Sequence, residues 1–215
     1  DLVGSPIMSD KYVGLGVADG VKLLVFDTVD FERDSLFVST TAVDGKTYAD
    51  VSVTVVNDGA AGKFTLDCTA FNARGKRAGK KQRKIFLRAG AVKTFSVRVR
   101  IAKPYEWSPS DPYTYSLVAK IITEHGAETS VGTRFGIVAR ALSGTRGLYI
   151  NNKNTLLLGA YVSHADAALG CVSNYSNEVR RLSALKALGY NAVHFVGCPT
   201  AAALDACDDA GMFAF

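Results

Sequence analysis

Residues 147–166 read GLYINNKNTLLLGAYVSHAD, and this stretch decides how the rest of the chain is read. An apolar strand at 148–150 runs into a turn rich in asparagine (Asn151, Asn152, Asn154). A second apolar strand, 156–158, leads through Gly159 to His164 and Asp166. Before this stretch apolar side chains recur at every second position, the mark of half-buried strands. After it the period becomes helical, with short strands between. An all-β region here gives way to an alternating α/β one.

Upstream, Ala49, Val51, Val53 and Val55 alternate with Asp50, Ser52 and Thr54, and Phe64, Leu66, Cys68 and Ala70 repeat the pattern. Phe95, Val97, Val99 and Ile101 do the same against Thr94, Ser96, Arg98 and Arg100. Tyr113, Tyr115, Leu117, Ala119 and Ile121 predict another strand, and a last one is expected over 129–138. Residues 21–27 are a continuous apolar run that reads as the first strand, with Leu36 and Val38 in the next. Asp44-Gly45, Asn57-Asp58-Gly59 and His125-Gly126 supply turns. About seven short strands at this spacing predict an immunoglobulin-like β-sandwich over 21–140. Residues 1–20 carry scattered glycines and read as a tail or the remnant of a preceding domain.

Downstream, Ser176 or Asn177 can cap a helix whose buried stripe is Val179, Leu182, Leu185 and Leu188, with Gly189 as its stop. An apolar strand follows at 191–196. Pro199-Thr200 then opens a second helix through Leu204 and Cys207, ended by Gly211, and 212–215 begins another strand. The order is β-α-β-α-β, which implies parallel strands joined by right-handed crossovers. The expected fold class is therefore mainly β: an immunoglobulin-like β-sandwich followed by a βαβαβ segment. Three strands and two helices leave a parallel sheet uncovered, so the unit reads as cut in mid-fold, with self-association through its bare edge and face expected.

The 215 residues are 48% hydrophobic and 21% charged, ordinary for a globular chain, and no apolar run is long enough to cross a bilayer, so no membrane partner is expected. No signal-peptide pattern is visible at the start. Cys68, Cys171, Cys198 and Cys207 lie far apart and read as free, buried thiols; a metal site joining them to His164 or His194 is not expected. Asn174-Tyr175-Ser176 matches a glycosylation triplet but borders a helix and reads as incidental. The net charge of +5 is local: Arg74, Lys76, Arg77, Lys80, Lys81, Arg83 and Lys84 crowd one stretch, and without them the balance turns negative. That stretch, ARGKRAGKKQRK at 73–84, offers a nucleic-acid or polyanion contact, but reads first as a long solvated hairpin whose charges discourage edge pairing. No aromatic is interleaved for base stacking, so nucleic acid is not expected as a partner.

Three motifs then resemble those of glycoside hydrolase family 2, the group of β-galactosidases, β-glucuronidases and β-mannosidases. Lys103-Pro104-Tyr105-Glu106-Trp107-Ser108-Pro109 with Pro112-Tyr113-Thr114-Tyr115-Ser116-Leu117 is similar to the family's LWSP-x-x-P-x-LY-x-L near the end of its sandwich. Residues 159–166 resemble the RG-x-N-x-H-x-D that opens the catalytic barrel. Leu185-Lys186, Gly189-Tyr190-Asn191-Ala192-Val193, Pro199, Cys207-Asp208 and Gly211 resemble LK-x-x-G-x-NAVR-x-SHYP followed by CDE-x-G. The sandwich before residue 103 agrees in type but shows no signature of its own.

The resemblance implies that 1–20 is the last strand of a jelly-roll domain, and that 141–215 is the N-terminal part of a (β/α)₈ barrel, truncated at its third strand. Retaining glycosidases use two carboxyl groups about 5–5.5 Å apart. In the family both are glutamates from later barrel strands, so no catalytic residue is assigned and the chain is expected to be inactive alone. No metal or cofactor is implied. Glu178 reads as a first-turn carboxylate suiting the helix dipole, and Asp205, Asp208 and Asp209 as helix surface. His164, Asp166 and His194 are the implied substrate-binding residues, for a carbohydrate bound by the longer parent. The chain departs from the pattern at His194, where the family has arginine, at Gly197 for histidine, at Cys198 for tyrosine, at Leu158 for arginine, and at Val138 for the arginine of FGFR. Arginine to histidine exchanges a permanent forked cation for a smaller, titratable ring. A competing class is a non-catalytic carbohydrate-binding or interaction module with Trp107 as a stacking platform.

Overall fold

The computed structural model describes residues 21, 23–163 and 174–215. Eight strands make two antiparallel sheets. In the first, β3 (Lys46–Asn57) is central; β6 (Ala91–Ile101) runs along one edge for its whole length, and β1 (Val29–Phe31) and β2 (Phe37–Val43) share the other. The second has the order β5 (Arg77–Leu87), β4 (Gly62–Phe71), β7 (Tyr115–Thr123) and β8 (Glu128–Phe135). Alternation puts Ala49, Val51, Val53 and Val55 of β3 into one core with Phe64, Leu66, Cys68 and Ala70 of β4 and Leu117, Ala119 and Ile121 of β7. Each fully buried Leu66, Leu117 or Ile121 side chain contributes about 1.5–3 kcal/mol of burial free energy.

The turns take the backbone geometry their residues allow. Asp44 and Gly45 both have positive φ (50° and 68°), the two-residue hairpin loop that matches strand twist. Asn57 is wholly buried; its amide donates to the Ala60 and Arg88 carbonyls and its oxygen accepts from the Gly59 N–H, locking the β3–β4 turn to the end of β5. Thr54, expected on the wet face, is 9% exposed and shares a hydrogen bond with Thr94 on β6.

One sandwich expectation is corrected and another sharpened. Residues 21 and 23–27 form no strand, and Val21, Leu23, Val25 and Phe26 are exposed. Val29 already pairs with Asn57, the last residue of β3, so anything before it would pair past the turn. The basic stretch does lie on a hairpin, from β4 to β5, but its loop is short. Only 72–76 turns, and the cations from Arg77 onward lie on β5 itself. Its signal was hidden because Lys81 and Arg83 occupy the positions opposite core-facing Cys68 and Leu66.

A three-stranded meander follows: β9 (Arg140–Ser143), β10 (Gly147–Ile150) and β11 (Lys153–Asn154). Asn151 and Asn152 turn it with φ of 49° and 62°, a region asparagine tolerates better than most residues. The expected strand at 156–158 does not form. The Asn191 side chain accepts from the Leu158 N–H and donates to the Leu156 carbonyl, which holds this piece as a lead-in, and pairing begins at Gly159.

The last unit is β12 (Gly159–Val162), α1 (Tyr175–Ala187), β13 (Ala192–Phe195), α2 (Ala201–Ala210) and β14 (Phe213–Ala214), with the three strands parallel in that order. Val162, Val193 and Phe195 pack under Leu182, Ala203, Ala206 and Cys207 of the helices. Asn174, not Ser176 or Asn177, caps α1 by accepting from the Asn177 N–H. Thr200 caps α2, and Gly211 closes it in the left-handed conformation, as expected. Leu188 lies past the last turn of α1 and is 76% exposed, so it leaves the predicted stripe. Cys68 and Cys207 are buried, but Cys198, in the loop after β13, is exposed; Cys171 lies outside the described residues.

Candidate functional site

The strands of the βαβαβ unit start from an end that is seated on the sandwich. The Trp107 N–H donates to the Ile137 carbonyl, and its own carbonyl accepts from the Asn151 side chain, both at 2.9 Å. Its indole is 7% exposed, meets Phe213 edge-on at 5.4 Å between centroids, and donates from Nε1 to the Asp208 carbonyl at 3.0 Å. Lys186 in the last turn of α1 donates from Nζ to the carbonyls of Pro109, Ala210 (2.6 Å) and Gly211 (3.1 Å). A cation thus sits at the negative end of α2. Burial lowers the Lys186 pKa from the ordinary lysine value. Gly211 is required twice over: its φ is +68°, and a Cβ there would meet the Pro109 carbonyl at 2.5 Å.

Arg134, at the end of β8, forks onto the Asp209 carboxylate, with Nη1 3.0 Å from Oδ2 and Nη2 on Oδ1. Asp205 stands 4.0 Å from the same guanidinium, and the Tyr175 hydroxyl donates to Asp209 at 2.7 Å. The Arg134 hydrogen bond chiefly holds the Asp209 carboxyl below its usual range, with burial opposing and Tyr175 assisting. Asp208 is pushed up, mainly by burial, with Asp205 and Asp209 adding to the effect and Arg134 opposing it. The three aspartates are therefore part of a junction and not plain helix surface. Glu178 is the first-turn carboxylate of α1, as expected, and is also buried, 2% exposed and paired with Arg181 at 2.5 Å.

The other end of the sheet is where parallel α/β units gather ligand-binding side chains. His194 on β13 stands in register with Tyr161 on β12, their rings 4.9 Å apart at 66°, on the face turned away from both helices. Both are exposed, Tyr161 to 81%. His164 and Asp166 follow Ser163 directly in sequence and lie outside the described residues. Of the three expected binding residues only His194 is therefore placed. Tyr161 was missed, although its alternation with Ala160 and Val162 could have marked it. Among the described residues no group of three His, Cys, Asp or Glu side chains could hold a metal. Trp107 offers no stacking platform, because both faces of its role are internal to the junction.

The family model described as Glycosyl hydrolases family 2 matches residues 33–137, which runs from before β2 to the carbonyl that receives Trp107. The sandwich belongs to glycosyl hydrolases family 2. The family likeness thus covers the region before residue 103 that showed no motif of its own. A β-galactosidase from Bacteroides ovatus, BoGH2A, is 26% identical over 203 residues, which is 93% of this chain and 24% of that protein. The solved structure of a family 2 member from Bacteroides cellulosilyticus superposes with a TM-score of 0.83 at 26% identity, over 87% of this chain and 25% of that one. A Bacteroides uniformis β-glucuronidase shares the fold, with a TM-score of 0.78 at 22% identity over 87% of this chain and 24% of its own. The chain spans about a quarter of the length of each of these proteins.

Proposed function

We propose that this chain is the sandwich and barrel-opening segment of a β-galactosidase-like glycosidase that hydrolyses O-glycosidic bonds. Residues 21–140 are assigned to the structural sandwich, residues 141–215 to the start of a (β/α)₈ barrel, and residues 1–20 to a tail or the remnant of a preceding domain. The observation that carries the reading is the junction. Trp107, Arg134 and Lys186 fasten the strand-starting end of the unit, the end of a barrel that serves stability, and leave the strand-finishing end clear for a substrate.

In this reading His194 lines the sugar site with Tyr161 beside it, and His164 and Asp166, outside the described residues, are the other substrate-binding residues that the family resemblance implies. A sugar's apolar face suits an exposed tyrosine ring, and the imidazole offers a hydrogen bond to its hydroxyls. The catalytic carboxyl pair comes from outside this chain. The carboxylates described near the barrel segment are engaged elsewhere, Glu178 with Arg181 and Asp209 with Arg134. A panel of chromogenic β-galactosides, β-glucuronides and β-mannosides tests this on the chain and on a version extended through a whole barrel. Hydrolysis by the longer protein alone is expected. Turnover by the 215 residues by themselves, or a folded longer protein inert to every sugar, overturns it.

A further inference from the structure

The basic residues of 74–84 are not accounted for by a solvated loop, and their number exceeds what guarding one strand edge needs. From Arg77 they lie on a regular strand, and the outer edge of that strand is already met by β6. The Ala102 N–H donates to the Ala78 carbonyl at 2.9 Å, and Gly79 lies so close to Arg100 that a Cβ would collide with its carbonyl. Arg83 reaches across to the Ser96 carbonyl at 3.3 Å. The edge is therefore closed near Ala78 and Gly79, while the rest of β5, the last strand of its sheet, makes no ladder with β6. β6 adds cations of its own at this seam: Lys93 stands over the Phe95 ring at 5.5 Å, where Arg83 of β5 also lies at 5.8 Å, and Arg100 lies beside Gly79. Among the described residues Lys80 alone of the seven has a carboxylate partner, Asp67 at 2.6 Å. Arg74, Lys76, Arg77, Lys81, Arg83 and Lys84 are exposed.

A row of uncompensated cations costs self-repulsion unless something anionic lies along it. The cations run from the 72–76 turn along an extended strand, Lys81 and Arg83 on the face of Cys68 and Leu66 and Lys80 and Lys84 on the other, so the strip suits an extended polymer with repeated charges lying along the strand. Guanidinium forks favour planar anions, of which carboxylate is the sugar-borne kind. No aromatic lies between residues 73 and 84 to stack a base, and Phe95 is only 5% exposed beneath its two cations. We propose that the β5–β6 seam is a docking surface for an acidic polysaccharide bearing uronate carboxylates. The choice of a sugar polymer over other polyanions rests on the glycosidase reading above, but the test needs no hydrolysis and so fails or succeeds apart from the glycoside panel.

The chain is measured for binding to polygalacturonate by affinity electrophoresis and by titration at rising salt, with dextran, dextran sulfate and single-stranded DNA as the other arms. Retardation by polygalacturonate and not by dextran is expected, weakening steadily with salt. The variant R74Q/K76Q/R77Q/K81Q is expected to lose about tenfold or more in affinity and to flatten the salt dependence. A control, K46Q/R140Q/R146Q/K153Q, removes the same net charge from exposed sites elsewhere and is expected to bind nearly as the parent does. Both variants should keep the parent's unfolding midpoint, since only exposed side chains change. Four results overturn the proposal: no binding to polygalacturonate, equal losses in both variants, binding of dextran sulfate in place of polygalacturonate, or tighter binding of DNA.

Discussion

Replacing Trp107 with alanine would remove a side chain that is 7% exposed, together with its contact to Phe213 and its bond to the Asp208 carbonyl. Loss of a buried aromatic of this size costs about 3–5 kcal/mol, and here the loss falls on the seam between two cores. Urea unfolding followed by circular dichroism should show the drop, and brief proteolysis should cut near residues 138–158 in the variant first. The neighbouring ion pair carries a pH dependence. The folded Asp209 carboxyl lies below its unfolded value, so its contribution is present above the unfolded carboxylate range, about pH 4, and is lost as pH falls through the lower folded value. Asp208 works the other way: burial raises it, so the charged form destabilises the fold at neutral pH and acid relieves that. D209N should lower stability at pH 7 and reduce the acid-side loss, leaving the part that Asp50 and Asp67 supply, whereas D208N should raise stability at pH 7. Unfolding curves from pH 7 to 3 separate the two. Cys198 should alkylate quickly in the native chain, while Cys68 and Cys207, pushed by burial to about 12, stay unlabelled until it unfolds; mass spectrometry reads this directly. Trp107 as a packed residue at the domain edge was legible from its motif. The Arg134–Asp209 pair was not, because nothing local links groups 75 residues apart.

The strands of the sandwich were legible where one face meets the core along the whole element, as in β3, β4 and β6. β5 was not, because its middle lies over the seam and carries lysine and arginine at positions that elsewhere are apolar. Its glycine gives a contrast that can be measured. Gly79→Ala would force a methyl into the Arg100 carbonyl and should cost about 1–3 kcal/mol, spreading β5 from β6. Gly75→Ala faces open space at φ +71° and should cost about 1 kcal/mol, from backbone strain alone. Thermal unfolding of both variants decides it, and equal losses would mean that the seam is loose. The first helix was placed correctly but its cap was assigned too late, because three candidate residues follow one another at 174, 176 and 177 and only the folded backbone shows which carboxamide accepts. The second helix was legible at both ends, since Thr200 and Gly211 are the sole cap and stop at their positions.

At the scale of the whole molecule, two cores are joined by a seam that side chains from both complete. Among the described residues the sheet face bearing Tyr161 and His194 is bare, and Phe215 at its edge is 60% exposed. We expect concentration-dependent association in sedimentation, reduced by the double change Tyr161→Ser and Phe215→Ser; a single monomeric boundary at every loading would contradict this. That this face exists was legible from the βαβαβ order, but its distance from the sandwich was not. The Trp107 bond spans 101 residues of sequence, and the Lys186 bond to Pro109 spans 77, both reaching back to a loop made earlier in the chain. A ribosome delivers the sandwich first, at roughly 5–20 residues per second, so this seat can be finished several seconds before residues 208–211 emerge. The order of synthesis then gives the first parallel strands a surface to settle on at birth, ahead of any partner strand that could be made after them.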